Sequence, residues 1–301
     1  MSTLPTSSAS RARRTLPSRP GELPRQRPGE HRRSLFVFFA VAYGLSWAVW
    51  GSALAQQRGL IDWAVPAEPF GFLAVTVAAV AATACFGGRA ALRAFVARLA
   101  VWRVPVRWYL AAVALPALPA VAALGLHLAL GGRHDTHALV PLSATLPLLA
   151  SQLVTHLLTE EAGWRGVALP HLRAGLGSLP AGMLLGALWA GWHTPMFFLE
   201  DTRQTYPFAG FLVMVVSISV VMTWVWDHTG GSVLIAALFH AAMNTAWAVL
   251  NVLWGDLRLF WLCVAFTAAI AAVAAGRPVR DARRTPVHAA EAAAFDTAAS
   301  A

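Results

Sequence analysis

Residues 208–226 read FAGFLVMVVSISVVMTWVW, nineteen positions without a charged side chain. Coiled into an α-helix the run is about 28 Å long, close to the roughly 30 Å hydrocarbon thickness of a bilayer. Working outward, runs of similar character occupy 35–54, 70–86, 108–130, 140–159, 180–199, 232–253 and 258–275, the run at 70–86 being short. The sequence therefore predicts an all-α fold, a polytopic transmembrane helical bundle of about eight spans filling residues 35–275. Composition agrees. Of 301 residues, 57% are hydrophobic and only 12% charged, half the roughly 25% of a soluble domain, and the mean hydropathy is +0.58. That leaves too little polar surface to cover a soluble core of this size, and the same figures exclude a disordered, collagenous or disulfide-scaffold chain. Cys85 and Cys263 lie in apolar stretches without CxxC spacing, so neither a disulfide framework nor a zinc knuckle is indicated.

All 23 basic residues are arginine, which with the abundant alanine points to a GC-rich bacterial coding sequence. The net charge of +9 would suggest nucleic acid if it covered a folded face. Here the arginines sit between apolar runs, so they report membrane topology and no nucleic-acid partner is expected. With the N-terminus inside, 19 arginines fall on the inner side and four (Arg58, Arg133, Arg203, Arg258) on the outer side. An even number of spans then places both termini in the cytoplasm of a multi-pass protein of the bacterial plasma (inner) membrane. Residues 1–34, rich in Ser, Pro and Arg, read as a disordered cytoplasmic tail able to touch anionic lipid; 276–301 form a C-terminal cytoplasmic tail. Arg32-Arg33 ahead of a run ending in Ala53-Leu54-Ala55 mimics a twin-arginine signal. The run, carrying Tyr43, Trp47 and Trp50, is longer than a signal core of about 7–15 residues and favours a retained span. Arg89, Arg93 and Arg98 among apolar residues suggest a basic amphipathic helix on the inner surface. No internal repeat supports a transporter built from inverted halves.

Ionisable groups inside spans cost about 2.5–3.5 kcal/mol each on insertion scales and are functional candidates by default. Four places hold them: His127; His156 with Glu160 and Glu161; His193; and His240 with Asn244. Glu161 and Arg165 are spaced i, i+4 and can pair. Glu160 points about 100° away and shares a face with His156, one turn earlier. One carboxylate is thereby neutralised while its neighbour stays available, as a general base requires. Pro170 is expected to stop this helix. Pro195, two residues after His193, frees a backbone carbonyl and can bend its helix toward a cavity. His240 and Asn244 share a face at i, i+4, either as interhelical glue or as a site for a polar ligand. Hydrated glutamates and packing histidines are the alternatives for each place taken alone. Glu160 lies nine residues before Leu169, His193 lies 13 beyond Pro180, and His240 lies eight beyond Ser232. Those spacings put them roughly 14, 20 and 12 Å from the cytosolic helix ends, so three helices carry polar groups to similar depths.

Glu160-Glu161-x-x-x-Arg165, Trp189-x-x-x-His193 and His240-x-x-x-Asn244 resemble the three motifs of the CPBP intramembrane proteases, the CAAX-processing and bacteriocin-processing (Abi) family. Arg165-Gly166 and the turn Thr229-Gly230-Gly231-Ser232 are similar to the family's as well. The resemblance covers residues 145–255, and the family's second motif usually opens with Phe where Trp189 stands. It implies peptide hydrolysis within the membrane. By that likeness Glu160 is the base, holding water with His193; His240 and Asn244 donate to the oxyanion; Arg165 fixes Glu161. The family has been described both as metalloproteases and as metal-independent glutamate proteases, so Zn2+ on His193, His240 and Glu160 is one expectation and no cofactor the other. Expected partners are membrane lipids and a membrane-associated or lipid-anchored peptide; a prenylated CAAX substrate would require prenylated proteins in the same cell. A non-catalytic membrane partner of bacteriocin-immunity or sensor-binding type, keeping the motifs as structure, is the competing function.

Overall fold

The computed structural model describes residues 28–277 apart from 136–139, 201, 203 and 255. The expected tails at 1–27 and 278–301, and Arg203, lie outside the described residues. Nine α-helices are described: α1 Pro28–Gln57, α2 Ala67–Leu99, α3 Val106–Ala129, α4 Leu142–His156, α5 Leu169–Leu176, α6 Ser178–Trp192, α7 Phe208–His228, α8 Val233–Leu250 and α9 Leu257–Ala275. Two π turns, Leu157–Glu161 and Trp164–Ala168, join α4 to α5, and a 3-10 turn, Thr194–Phe198, follows α6. No strand occurs among the described residues. The protein is a multi-pass membrane bundle.

Six helices, α1, α2, α3, α7, α8 and α9, are long and apolar enough to cross a membrane. The remaining two expected spans, 140–159 and 180–199, contain α-helices of 15 residues each. At about 1.5 Å per residue α6 reaches about 22 Å, short of the roughly 30 Å needed, whereas α4 runs on through the two π turns into α5 with helical backbone throughout. Regular α geometry ends where the polar residues stand: α4 passes into π turns at His156, and α6 ends just before His193. Pro170 does not stop its helix as expected. It sits in the first turn of α5, where its missing N–H costs nothing, and the chain stays helical to Leu176. α1 begins at Pro28, within the stretch expected to be tail. α2 breaks at Gly88 (φ 58, ψ −159), a backbone conformation that favours glycine. Beyond the break Ala91, Phe95 and Arg98 turn inward while Arg89 and Arg93 stay exposed.

Helix pairs α1/α2, α6/α7, α3/α8, α7/α9 and α4/α8 build the bundle. α6 meets α7 across glycines. A β-carbon on Gly182 would lie 2.8 Å from Thr223 Oγ1, and one on Gly186 would lie 2.6 Å from Val216 Cα. This small-x-x-x-small spacing lets two backbones approach in lipid, where close packing drives helix association. α7 turns into α8 through Gly230 (φ 65) and Gly231 (φ 83). Ser232 then caps α8: its Oγ accepts from Ile235 N–H (3.2 Å) and donates to the Val101 carbonyl (2.6 Å).

Candidate active site

Three elements deliver the expected residues to one place: the π segment after α4, the end of α6, and α8. The π turns need extra backbone partners, since i→i+5 bonding displaces the usual ladder, and such turns recur at functional sites. Thr76 Oγ1 supplies one, donating to the Thr159 carbonyl at 2.9 Å. Gly163 lets the segment press on α2, because a β-carbon there would lie 2.3 Å from Val75 Cγ1. At the end of α6, Pro195 cannot donate to the Gly191 carbonyl, and Thr194 Oγ1 does so instead at 2.7 Å. Tyr43 Oη donates to the Leu188 carbonyl, and Trp47 Nε1 to the Trp192 carbonyl at 2.9 Å. Helix α1 thus satisfies the backbone that the break in α6 exposes, as a site within lipid depth requires.

The two glutamates have different partners. Both are buried, Glu160 at 2% exposure and Glu161 at 0%, so neither is a hydrated interfacial carboxylate. Glu161 Oε1 accepts from Arg165 Nη1 (3.1 Å) and from His240 Nδ1 (2.8 Å). Arg165 also lies over the Trp189 ring, 4.5 Å from its centroid, and Nη2 reaches Met222 Sδ at 3.2 Å. Glu160 has no arginine. Its Oε2 accepts from Trp189 Nε1 at 2.8 Å, and its Oε1 lies 3.5 Å from His156 Nδ1.

The histidines are oriented by what each nitrogen touches. His193 Nδ1 donates to the Trp189 carbonyl at 2.9 Å; a carbonyl only accepts, so the neutral ring keeps its lone pair on Nε2. His240 Nδ1 donates to a carboxylate, which likewise leaves Nε2 for the cavity. Asn244 Nδ2 donates to His156 Nε2 at 2.9 Å, and His156 stacks on His240 with centroids 3.7 Å apart and planes within 6°. His156 is therefore a member of the site, joining α4 to α8. His127 stands apart, accepting from Arg258 Nε at 3.2 Å.

Glu160, His193, His240 and Asn244 line one cavity of about 360 Å³, together with His156, Gln152, Gln204 and an aromatic wall that includes Phe72, Trp189, Tyr206, Phe211, Trp247 and Trp254. Glu161 and Arg165 are not in the lining and support it from behind. Gln152 had a signal in the sequence: Gln152, His156 and Glu160 recur every four residues along one face of the segment. Gln204 and Trp254 stand in connections between helices, where periodicity says nothing.

Residues 142–246 match the sequence profile of the family described as Type II CAAX prenyl endopeptidase Rce1-like. Over that stretch the chain is similar to this CAAX prenyl endopeptidase family. The matched stretch runs from the start of α4 into α8 and contains all six motif residues, Glu160, Glu161, Arg165, His193, His240 and Asn244. A curated relative, CAAX prenyl protease 2 of Methanococcus maripaludis, is 28% identical over 92 residues, which cover 28% of this chain and 34% of the relative. The chain thus spans about a third of the length of that relative.

A metal was expected on His193, His240 and Glu160. The side chains whose ligand atoms lie within 4.8 Å of one another are instead His156, Glu160 and His240. A tetrahedral zinc needs nitrogens aimed at one centre from about 2.0–2.1 Å. Imidazoles stacked within 6° of parallel, with centroids 3.7 Å apart, keep their in-plane lone pairs in two separate planes, so no one point lies in both. His156 Nε2 and His240 Nδ1 are also engaged with Asn244 and Glu161. His156 and His240 therefore do not fit one shared ion.

Proposed function

We propose that the protein is an intramembrane endopeptidase of a bacterial inner membrane, with both termini cytoplasmic, that hydrolyses a peptide bond of a membrane-associated or lipid-anchored substrate. The observation that supports this reading is the shared cavity: a buried carboxylate without an arginine partner, an imidazole with its lone pair free, and a carboxamide converge on it from three segments of the chain. In the reaction, Glu160 Oε1 and His193 Nε2 hold a water. Its oxygen attacks the scissile carbonyl carbon as its proton passes to Glu160. The developing oxyanion is met by the second Asn244 amide hydrogen and by His240. When His240 is protonated its Nε2–H is the donor, and the Glu161 carboxylate on the opposite nitrogen balances the charge. Donors fixed before reaction in a water-poor site are the effective kind. Collapse breaks the C–N bond, and the proton held by Glu160 goes to the leaving amine. The balance is one water consumed, one carboxylate and one amine formed, with no metal required.

The test is cleavage of a library of lipid-anchored peptides by proteoliposomes of the wild type, Glu160→Gln and His193→Ala, with and without a strong chelator. Cleavage lost in both variants, and retained by the chelated wild type, is the expected result. Chelator-sensitive cleavage would overturn the metal-free chemistry. Full cleavage by Glu160→Gln would overturn the role of the glutamate. A wild type that cleaves nothing in the library would favour the non-catalytic partner.

A further inference from the structure

Trp189 touches Glu160, Arg165, His193 and His240, and so joins the base to three of its neighbours. Its indole N–H donates to Glu160 Oε2 at 2.8 Å. Its ring carries the Arg165 guanidinium at 4.5 Å on one face and meets the His240 imidazole edge-on, with centroids 5.1 Å apart. Its carbonyl fixes His193 Nδ1 at 2.9 Å. The residue is 2% exposed, so water does not compete for these contacts.

We propose that Trp189 is a positioning residue for Glu160: the indole N–H holds Oε2 and so presents Oε1 to the water to be deprotonated. A glutamate carboxylate turns about a terminal torsion that is broad and roughly two-fold. Without the indole donor only the longer 3.5 Å approach of His156 Nδ1 to Oε1 would orient the carboxylate, and the base is poorly aimed. One N–H on one oxygen removes that freedom and makes the oxygens inequivalent. The guanidinium over the indole face draws electron density from the ring and strengthens the N–H as a donor. The indole also stands between the Glu161–Arg165 pair and Glu160. It therefore transmits the position of the structural carboxylate to the reacting one without bringing two negative charges together.

The proposal rests on Glu160 acting as the base. Its test is Trp189→Phe, which keeps a ring for Arg165 and His240 and removes only the donor. Loss of a hydrogen bond to a charged group corresponds to about a 10- to 100-fold effect. In the proteoliposome assay kcat is expected to fall by about that factor with KM within about two-fold, because the bond aims the base and does not hold substrate. Unchanged kcat in Trp189→Phe beside an active wild type overturns the proposal alone. A raised KM with unchanged kcat does the same, reducing Trp189 to a wall of the cavity. A wild type without cleavage, by contrast, removes the protease reading and this proposal together. Should Trp189→Phe fail to fold, wild-type protein carrying 15N-indole tryptophan decides. The indole resonance of Trp189 is expected to move upfield in Glu160→Gln as its acceptor loses charge, and no change in any indole resonance overturns the proposal.

Discussion

Replacing Glu161 by Gln removes a charge without changing shape, and its consequence can be worked from the site. Glu161 and Arg165 are both fully buried and 3.1 Å apart. At an effective dielectric of about 20 their attraction is about 5 kcal/mol. Deleting one partner of a buried pair leaves the other uncompensated and typically costs about 3–5 kcal/mol. Glu161→Gln should therefore lower the apparent Tm by about 6–20 °C, taking about 2–4 °C per kcal/mol for a domain of this size. Arg165→Met should cost a similar amount, because it strands the carboxylate instead. The double variant should lie within about 1–2 kcal/mol of wild type, since no unpaired charge remains buried. The assay is thermal unfolding of the four proteins in nanodiscs, read as a double-mutant cycle. If the losses of the single variants simply add in the double variant, the pair is not the ion pair described and the reasoning fails.

The remaining predictions concern packing and capping. Gly186→Ala sets a β-carbon 2.6 Å from Val216 Cα, so α6 must move off α7; a cost of about 1–3 kcal/mol and reduced cleavage are expected, because α6 carries Trp189 and delivers His193. Gly44→Ala is the control, with nothing within 4 Å of its β-carbon, and unfolding should show it neutral or more stable by up to about 1 kcal/mol. Ser232→Ala loses the cap on Ile235 N–H and the bond to Val101, which should lower stability by about 1–2 kcal/mol in the same unfolding measurement.

Much of the bundle was legible because run length is a one-dimensional quantity. Nineteen uncharged residues at 208–226 can only be long and apolar, and α7 follows from them. The two segments in which regular α geometry is interrupted are also the ones that carry the polar residues. His156, Glu160 and Glu161 interrupt one, and His193 with Pro195 the other, so the sequence marked the site at the cost of the span. Pro170 misled for a local reason: the π turn Trp164–Ala168 ahead of it resets the hydrogen-bond ladder, and nothing in the residue types announces a π turn.

The sequence by itself determined the helical membrane architecture, the motif residues and the two carboxylate roles, because i, i+4 spacing alone sets Glu161 against Arg165 and Glu160 against His156. Only the tertiary structure decided that His240 Nδ1 serves Glu161, that Asn244 engages His156, that the His156 and His240 imidazoles stack, and that Trp189 rather than an arginine grips Glu160. Those contacts join residues between 29 and 88 positions apart in the chain. Their existence depends on how each helix is rotated and how closely α6, α4 and α8 approach, and close packing of the whole bundle sets both.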